Sequence, residues 1–218
     1  MSGDLKSRIA ERAARELRPG EIVNLGIGIP NLIPGFLPAD SGVVLHTENG
    51  LLGVGPRPGE DELDPDLIDA AKQPVTALPG ASYFDSAASF AMIRGGHIDV
   101  AVLGALEVSA RGDISNWAVP GKDVLGVGGA MDLVVGARRV IVTMTATSSR
   151  GEPKVVDECT YPLTATGAVD VIVTELSMFR LVDGELILTE LLDGATLDDV
   201  AAVTTAPFTV SLEESHAS

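Results

Sequence analysis

The stretch HIDVAVLGAL, residues 97–106, decides the fold that the sequence predicts. It is almost continuously apolar and consists mainly of Val, Ile, Leu and Ala. A run of this length and composition is typical of a strand that is buried on both faces. Such strands lie inside a parallel sheet that helices cover on both sides. The run therefore predicts the interior of an α/β sheet.

Strand-like and helix-like patterns alternate outward from this run, between residues 21 and 144, which favours βαβ units. The segment 178–191 departs from the alternation, because two strand-like runs flank Asp183-Gly184, a hairpin signal. No repeat or linker divides the chain, so we predict a single domain over residues 1–218 with a flexible tail from about residue 211. The predicted strands are 21–26, 43–47, 74–80, 97–106, 138–144 and 169–176, and the predicted helices are 1–20, a short one within 26–37, 64–73, 84–96, 126–137 and 196–204.

The chain is acidic, with 31 Asp and Glu residues against 15 Lys and Arg residues and a formal net charge of −16. It has no Lys/Arg-rich block, which argues against nucleic acid or an anionic membrane surface as a partner. Cys159 is the only cysteine, so no disulfide can form within the chain and a reducing compartment is expected. The N-terminal segment lacks the apolar core of a signal peptide, and no later run is long enough to span a membrane. We therefore expect a cytoplasmic protein.

The stretch HTENGLLGVGP, residues 46–56, places a carboxylate at the end of a predicted strand. Glu48 stands between Thr47 and the turn signal Asn49-Gly50, and strand ends are where ligands gather in open α/β sheets. A carboxylate in this place can attack a thioester, because the resulting mixed anhydride lets the thiolate leave. The alternative is a structural role, in which Glu48 accepts hydrogen bonds from N–H groups of the turn.

Two glycine-rich turns are candidates for binding an anion or a developing oxyanion. In GVGGAMDL, Gly126, Gly128 and Gly129 precede a predicted helix, and backbone N–H groups at a helix N-terminus bind such groups. In GIGIP, residues 26–30, the pattern departs from the dinucleotide fingerprint, because Asn31 occupies the position of the third glycine. Both turns can instead serve close packing between a strand and a helix.

The histidines and the cysteine give weaker signals. His46 lies two residues from Glu48, so both side chains face the same side of a strand. His46 therefore either orients the carboxylate or fills a structural role. Cys159 has no histidine nearby and is more typical of packing than of a nucleophile. The three histidines lack the spacing of a zinc site, so no metal is predicted.

Five motifs in sequence order resemble the β subunit of the family I CoA-transferases. The nearest group is the 3-oxoacid CoA-transferases of the succinyl-CoA:acetoacetate type, with the 3-oxoadipate enzymes as relatives. The resemblance extends over roughly residues 5–210, nearly the whole chain. The motifs are NLGIGIP (24–30), HTENGLLGVGP (46–56), the segment 64–99, NWAVPGK (116–122) and GVGGAMDLV (126–134).

The resemblance implies a fold, a catalytic group and a ligand site. The implied fold is an open three-layer α/β/α sandwich with a mainly parallel sheet. By the same resemblance, Glu48 is the covalent nucleophile and Gly129 donates its N–H to the thioester oxyanion, while a glutamine of a companion α subunit is the second donor. The residues that we assign to coenzyme A binding are Gly26, Gly28, Asn49, Gly50, Lys122 and Gly128.

The implied reaction is a ping-pong transfer of coenzyme A from an acyl-CoA, such as succinyl-CoA, to a 3-oxoacid such as acetoacetate or 3-oxoadipate. It passes through a glutamyl-CoA thioester on Glu48 and uses coenzyme A as a substrate, with no metal or redox cofactor. The implied assembly is an α2β2 hetero-oligomer with a separate α subunit. Two alternatives stay open: a sugar-phosphate isomerase or ligand sensor on a similar sheet, and a non-catalytic assembly subunit.

The sequence departs from the resemblance at three places. Residues 145–149 read TATSS where family members often carry a charged residue, a histidine and a lysine. Ala165 and Thr166 replace the usual Gly-Lys pair, and Val171 stands where an arginine is frequent. If these positions reach the substrate, we expect the acyl specificity to differ from that of the succinyl-CoA:acetoacetate enzymes. If they are solvated, the changes are neutral.

Overall fold

The computed structural model describes residues 2–121 and 126–212 of the chain. Within these residues it contains four α-helices, thirteen strands and two 3-10 helices, Pro30–Phe36 and Glu60–Glu62. The α-helices are α1 (Ser2–Ala14), α2 (Ser86–Arg94), α3 (Ala130–Gly136) and α4 (Leu197–Ala202). The strands are β1 (Ile22–Leu25), β2 (Val44–Thr47), β3 (Leu51–Val54), β4 (Ala77–Tyr83), β5 (Val100–Gly104), β6 (Glu107–Ser109), β7 (Ile114–Ser115), β8 (Arg139–Thr143), β9 (Val155–Val156), β10 (Val171–Val173), β11 (Ser177–Val182), β12 (Glu185–Leu191) and β13 (Thr209–Val210).

Ten of these strands form one sheet in the order β13-β12-β11-β10-β8-β5-β1-β2-β3-β4. The five in the middle, from β10 to β2, all run parallel. Strand β5 comes from the stretch HIDVAVLGAL and lies at the centre of these five, between β8 and β1. Its residues Val100, Ala101 and Val102 are fully buried. The predicted interior strand is therefore confirmed.

Antiparallel strands extend the sheet on both sides. Strands β3 and β4 add to β2, while β11 and β12 add to β10. The hairpin predicted at Asp183-Gly184 is confirmed, because β11 and β12 pair across this turn. Both turn residues have positive φ values, 53° and 82°, as a two-residue hairpin turn of the matching twist requires.

Helices cover both faces of the sheet, which makes three layers. On β5, Val100 and Val102 point to one face, where they share a core with Ile9 of α1 and Ile33 of the first 3-10 helix. The alternate residues of β5 point to the other face and share a core with residues of α2, α3 and α4. The fold class that the sequence and the resemblance predicted, an α/β sandwich with a mainly parallel sheet, is confirmed.

A second, three-stranded sheet was missed by the sequence analysis. It has the order β7-β6-β9, and two of its strands are only two residues long. Val108, Ile114 and Val155 anchor it in the core on the α2 and α3 side. Strands this short carry no readable alternation of apolar and polar residues, so only the tertiary packing defines them.

The helix predicted over residues 64–73 is wrong. This segment forms turns after the second 3-10 helix, and aspartate side chains bond to backbone N–H groups within it. The Asp64 carboxylate accepts from the N–H of Asp66 at 2.9 Å, and the Asp69 carboxylate accepts from the N–H of Gln73 at 2.8 Å. Aspartate side chains compete with helix formation in this way.

The first helix is shorter than the predicted 1–20. Helix α1 ends at Ala14, and the chain then tightens, because the N–H of Leu17 bonds to the Ala14 carbonyl at 3.2 Å. Turns of this 3-10 type are frequent at the C-termini of helices. Leu17 still packs in the core that α1 forms with the sheet. The helical periodicity therefore identified the buried side of this segment correctly, but the helix ends earlier than predicted.

Candidate active site

Glu48 lies directly after β2, in the tight turn that joins β2 to β3. The turn is closed by a 3.0 Å hydrogen bond from the Gly50 N–H to the Thr47 carbonyl. Gly50 has a φ of 126°, and a side chain there would overlap the carbonyl oxygen of Phe84. The glycine in the Glu-Asn-Gly motif is therefore required by the turn that presents the carboxylate.

Replacing Gly50 with alanine should destabilise the protein by about 2–4 kcal/mol, since it combines an unfavourable φ with a steric overlap. The measurement is the free energy of unfolding by denaturant. Gly151→Ala is a matched control, because Gly151 has a φ of 81° but nothing within 4 Å of an added Cβ. The control should lose only about 1 kcal/mol. Equal losses in both variants would contradict the close approach to Phe84.

The side chains on either side of Glu48 attach the turn to the segment after residue 67. Thr47 Oγ1 donates to Asn49 Oδ1 at 2.7 Å and accepts from the N–H of Ala70 at 2.9 Å. Asn49 Nδ2 donates to the Ile68 carbonyl at 2.8 Å. These bonds place Ala70 at the edge of the cavity that contains Glu48. The side chain of Asn49, which we assigned to coenzyme A, is thus already hydrogen-bonded within the chain.

Behind the carboxylate, Asn24 and His46 form buried contacts. The sequence analysis had singled out His46 but not Asn24. Asn24 Nδ2 donates to Glu48 Oε2 at 3.1 Å and lies 3.1 Å from His46 Nδ1. His46 Nε2 lies 3.2 Å from Ser89 Oγ of helix α2. The signal for Asn24 was present in the sequence as an amide inside the apolar strand motif EIVNLG.

His46 is neutral at physiological pH. Burial lowers the pKa of its imidazole to about 4. The ring is stacked on Phe84, with the ring centroids 5.8 Å apart and the planes 13° from parallel. A neutral imidazole adds no positive charge beside Glu48, so its influence on the carboxylate is exerted through hydrogen bonding.

The glycine turn before α3 faces Glu48, as the resemblance implied. A Cβ built on Gly129 would lie 3.8 Å from Glu48 Cγ and 3.0 Å from the Phe90 ring. Gly126 and Gly128 have φ values of 98° and 56°, so this turn uses a left-handed backbone that glycine readily adopts. Glu48 and Gly129, which are far apart in the sequence, are therefore neighbours in the fold.

A cavity of 580 Å³ lies between the strand ends and this turn. Glu48 lines it together with predicted glycines from both turns, and no Lys or Arg is present among its described lining residues. It is lined by Gly26, Ile27, Glu48, Ala70, Leu103, Gly104, Ala105, Leu106, Asn116, Trp117, Gly126, Val127, Gly128, Gly129, Ala130 and Leu133.

The remaining predicted positions fall outside this cavity. Gly28 lines a neighbouring cavity of 430 Å³, which also contains Arg57 and shares Ile27 with the first one. Asn49 and Gly50 belong to the turn itself. Lys122 lies outside the described residues, so its assignment to coenzyme A stays a prediction.

The two loops in which the sequence departs from the resemblance do not line the Glu48 cavity. Ala146 is buried, and its N–H donates to Glu175 at 2.9 Å. Thr164 acts from behind the cavity wall, because its hydroxyl donates to Asn116 Oδ1 at 2.6 Å. Val171 lies in the core. Ala165 is half-buried and packs against the core, whereas Ser149 and Thr166 are exposed. Within the described part of the chain, none of the departing positions lines the Glu48 cavity.

Cys159 and the metal-ligating residue types add no second site. Burial raises the pKa of the Cys159 thiol to about 11, which keeps it protonated and fits a packing role. Among residues 2–121 and 126–212, no three His, Cys, Asp or Glu side chains converge to hold a metal ion. None of the described helices is long and apolar enough to cross a membrane.

An open parallel sheet with a carboxylate at a strand end, facing a glycine turn, suits an enzyme that carries an acyl group on its own side chain. Residues 6–202 match the family described as Coenzyme A transferase. The chain belongs to the coenzyme A transferase family, which confirms the resemblance found in its motifs.

Two curated relatives, each named as one subunit of an enzyme, cover almost all of the chain. The first is a subunit of the probable succinyl-CoA:3-ketoacid coenzyme A transferase of Bacillus subtilis, which is 51% identical over 95% of this chain and 96% of its own length. The second is the β subunit of the acetate CoA-transferase of Escherichia coli K12, which is 51% identical over 96% of both chains.

The fold is also that of a solved acyl-CoA transferase apoenzyme from Escherichia coli O157:H7, with a TM-score of 0.77 at 22% identity. The match covers 95% of this chain but only 42% of that protein. At this identity the comparison concerns the fold alone. The solved enzyme is thus more than twice as long as the part that this chain matches.

Proposed function

We propose that this chain is the β subunit of a CoA-transferase of the 3-oxoacid type, which moves coenzyme A between an acyl-CoA and a carboxylic acid. The observation that carries the proposal is the placement of Glu48. One of its oxygens accepts from Asn24, and its Cγ lies 3.8 Å from where a Cβ on Gly129 would be. The name of the Bacillus subtilis relative supports a succinyl-CoA donor and a 3-oxoacid acceptor, whereas the name of the Escherichia coli relative gives acetate as the acid.

In the first half-reaction, Glu48 Oε1 attacks the carbonyl carbon of the acyl-CoA. The carbon–sulfur bond breaks, and the products are an acyl-glutamyl anhydride and the CoA thiolate. The thiolate then attacks the glutamyl carbonyl carbon, and the donor acid leaves as its carboxylate. A glutamyl-CoA thioester remains on Glu48. The acceptor carboxylate reverses these steps, so the free carboxylate is restored without net uptake of a proton.

Each tetrahedral intermediate needs a hydrogen-bond donor. The oxygen of the acyl group carries the charge in the first attack, and the Gly129 N–H is the proposed donor to it. Glu48 Oε2 carries the charge when the thiolate attacks the glutamyl carbon, and Asn24 Nδ2 already lies 3.1 Å from that oxygen. A single donor of this kind typically contributes roughly 10²–10³-fold to the rate.

A partner chain is the other part of the proposal. The described lining residues of the Glu48 cavity include no Lys or Arg, and the chain has a net charge of −16, yet coenzyme A carries phosphates. The partner α subunit, together with Lys122, is the proposed source of positive charge. By covering the cavity it would also exclude water, which would otherwise hydrolyse the anhydride and the thioester. The proposed assembly is an α2β2 hetero-oligomer, and the naming of both relatives as subunits supports a separate partner chain.

Family membership disfavours the isomerase and ligand-sensor alternatives, because both lack a role for coenzyme A. A non-catalytic assembly subunit makes a different prediction from the proposed function. Mixing the αβ enzyme with an acyl-CoA, quenching with acid and digesting should give the peptide containing Glu48 with the added mass of coenzyme A. A modified peptide from the partner chain, with Glu48 unmodified, would contradict the proposal.

A further inference from the structure

A relay of three buried polar side chains lies behind Glu48, each from a different element. Asn24 belongs to β1, His46 to β2 and Ser89 to α2. Asn24 and Ser89 are fully buried and His46 is 3% exposed. At this depth, bulk water is not available to replace a hydrogen bond that the relay loses.

The proton positions in this relay follow from Glu48. A carboxylate only accepts, so the Asn24 amide must turn its nitrogen, and not its oxygen, toward Glu48. The second N–H of the same nitrogen points at His46 Nδ1, which must then be the unprotonated acceptor. The single proton of the neutral ring is left on Nε2, where it is donated to Ser89 Oγ. One tautomer of His46 satisfies both contacts.

The Asn24 amide is oriented by only these two contacts. Its Oδ1 is buried and has no hydrogen-bond partner among the described residues. An unpaired buried carbonyl is unfavourable, so the amide is not arranged for maximal stability. If His46 no longer accepted, the Asn24 amide would keep a single directional bond and could rotate away from Glu48 Oε2.

We propose that His46 is a positioning residue, which holds the Asn24 amide against Glu48 Oε2 by accepting its second N–H, and that Ser89 fixes the required tautomer. This inference rests on the proposed role of Glu48. With Oε2 engaged by Asn24, Oε1 is the oxygen that is free to attack. The stacking on Phe84 limits rotation of the imidazole and keeps the direction of its acceptor constant.

The test compares His46→Leu with His46→Gln in the assembled αβ enzyme. Leucine cannot accept from Asn24, whereas a glutamine amide presents both an acceptor for Asn24 and a donor for Ser89. His46→Leu should lower kcat by about 10- to 100-fold, the cost of a misplaced reacting group. The KM for the acyl-CoA should change by less than about threefold, because the substitution does not alter the contacts that the substrate and the transition state share. His46→Gln should restore most of kcat.

Ser89→Ala provides a second arm and has a matched control. It should lower kcat by a smaller factor than His46→Leu, because the tautomer is no longer fixed while the acceptor is retained. Ser177→Ala removes another buried serine hydroxyl, in β11, which is separated from β2 by four strands of the sheet. The control should keep full kcat even if its melting temperature falls, which separates positioning from stability.

The outcomes separate this inference from the proposed function. If wild type forms the CoA adduct on Glu48 and His46→Leu forms it at the wild-type rate, the positioning role is refuted and the function stands. If His46→Gln is as slow as His46→Leu, the hydrogen bond is not the reason and the inference fails. If wild type forms no adduct at all on Glu48, the proposed function itself fails.

Discussion

Glu48→Gln should reduce CoA transfer by more than about 10⁴-fold, because the amide keeps the shape of the side chain but is no longer a nucleophile. The fold should persist, since the glutamine oxygen can still accept from Asn24 Nδ2 as Glu48 Oε2 does. The measurement is the steady-state rate of acyl-CoA formation by the αβ enzyme, with circular dichroism to verify the fold.

A matched control is Glu62→Gln, which makes the same chemical change at an exposed position of the second 3-10 helix. It should leave the rate unchanged. Glu48→Asp retains the charge but moves the attacking oxygen by about an ångström, so it should lose on the order of 100-fold. Wild-type turnover by either Glu48 variant would refute the assignment of the nucleophile.

The parts of the fold that the sequence predicted are those with strong local signals. The apolar run at 97–106 forms the central strand, because a strand buried on both faces consists almost entirely of apolar residues. Asp183-Gly184 forms the hairpin turn, because positive φ values favour Gly and Asp. The helix predicted over 64–73 failed partly because aspartates in the segment bond to nearby N–H groups, and partly for a tertiary reason. Its backbone is held by Thr47 and Asn49, which precede it by a whole hairpin strand and a loop, and no local pattern reveals such a bond.

In the candidate site, too, residues with a local signal could be predicted and residues joined only by tertiary contacts could not. Glu48 could be selected from its strand-end context and from the resemblance, and its proximity to Gly129 was implied by the resemblance alone. Asn24 and Ser89 could not be paired with it, because their contacts join residues 24 and 43 positions apart through three elements of the fold. Only the register of β1 against β2, which places Asn24 beside His46, brings these side chains together.

This chain alone should show less than about one thousandth of the CoA-transferase activity of the αβ enzyme, because the α subunit is the proposed source of one oxyanion donor and of charge for the phosphates. The measurement is the rate with a constant amount of this chain and increasing amounts of the α subunit. The rate should rise and then reach a plateau when all of this chain is bound to the α subunit.

Residual activity of this chain has to be separated from background thiolysis, and Glu48→Gln without the α subunit provides that baseline. A small rate above the baseline is expected, since Glu48, Asn24 and the Gly129 turn already lie together in this chain. Open access of water to the cavity should then convert part of any anhydride into two free acids, so acyl-CoA would be consumed without an equal gain of new acyl-CoA. Full, tightly coupled transfer by this chain alone would refute the need for a partner.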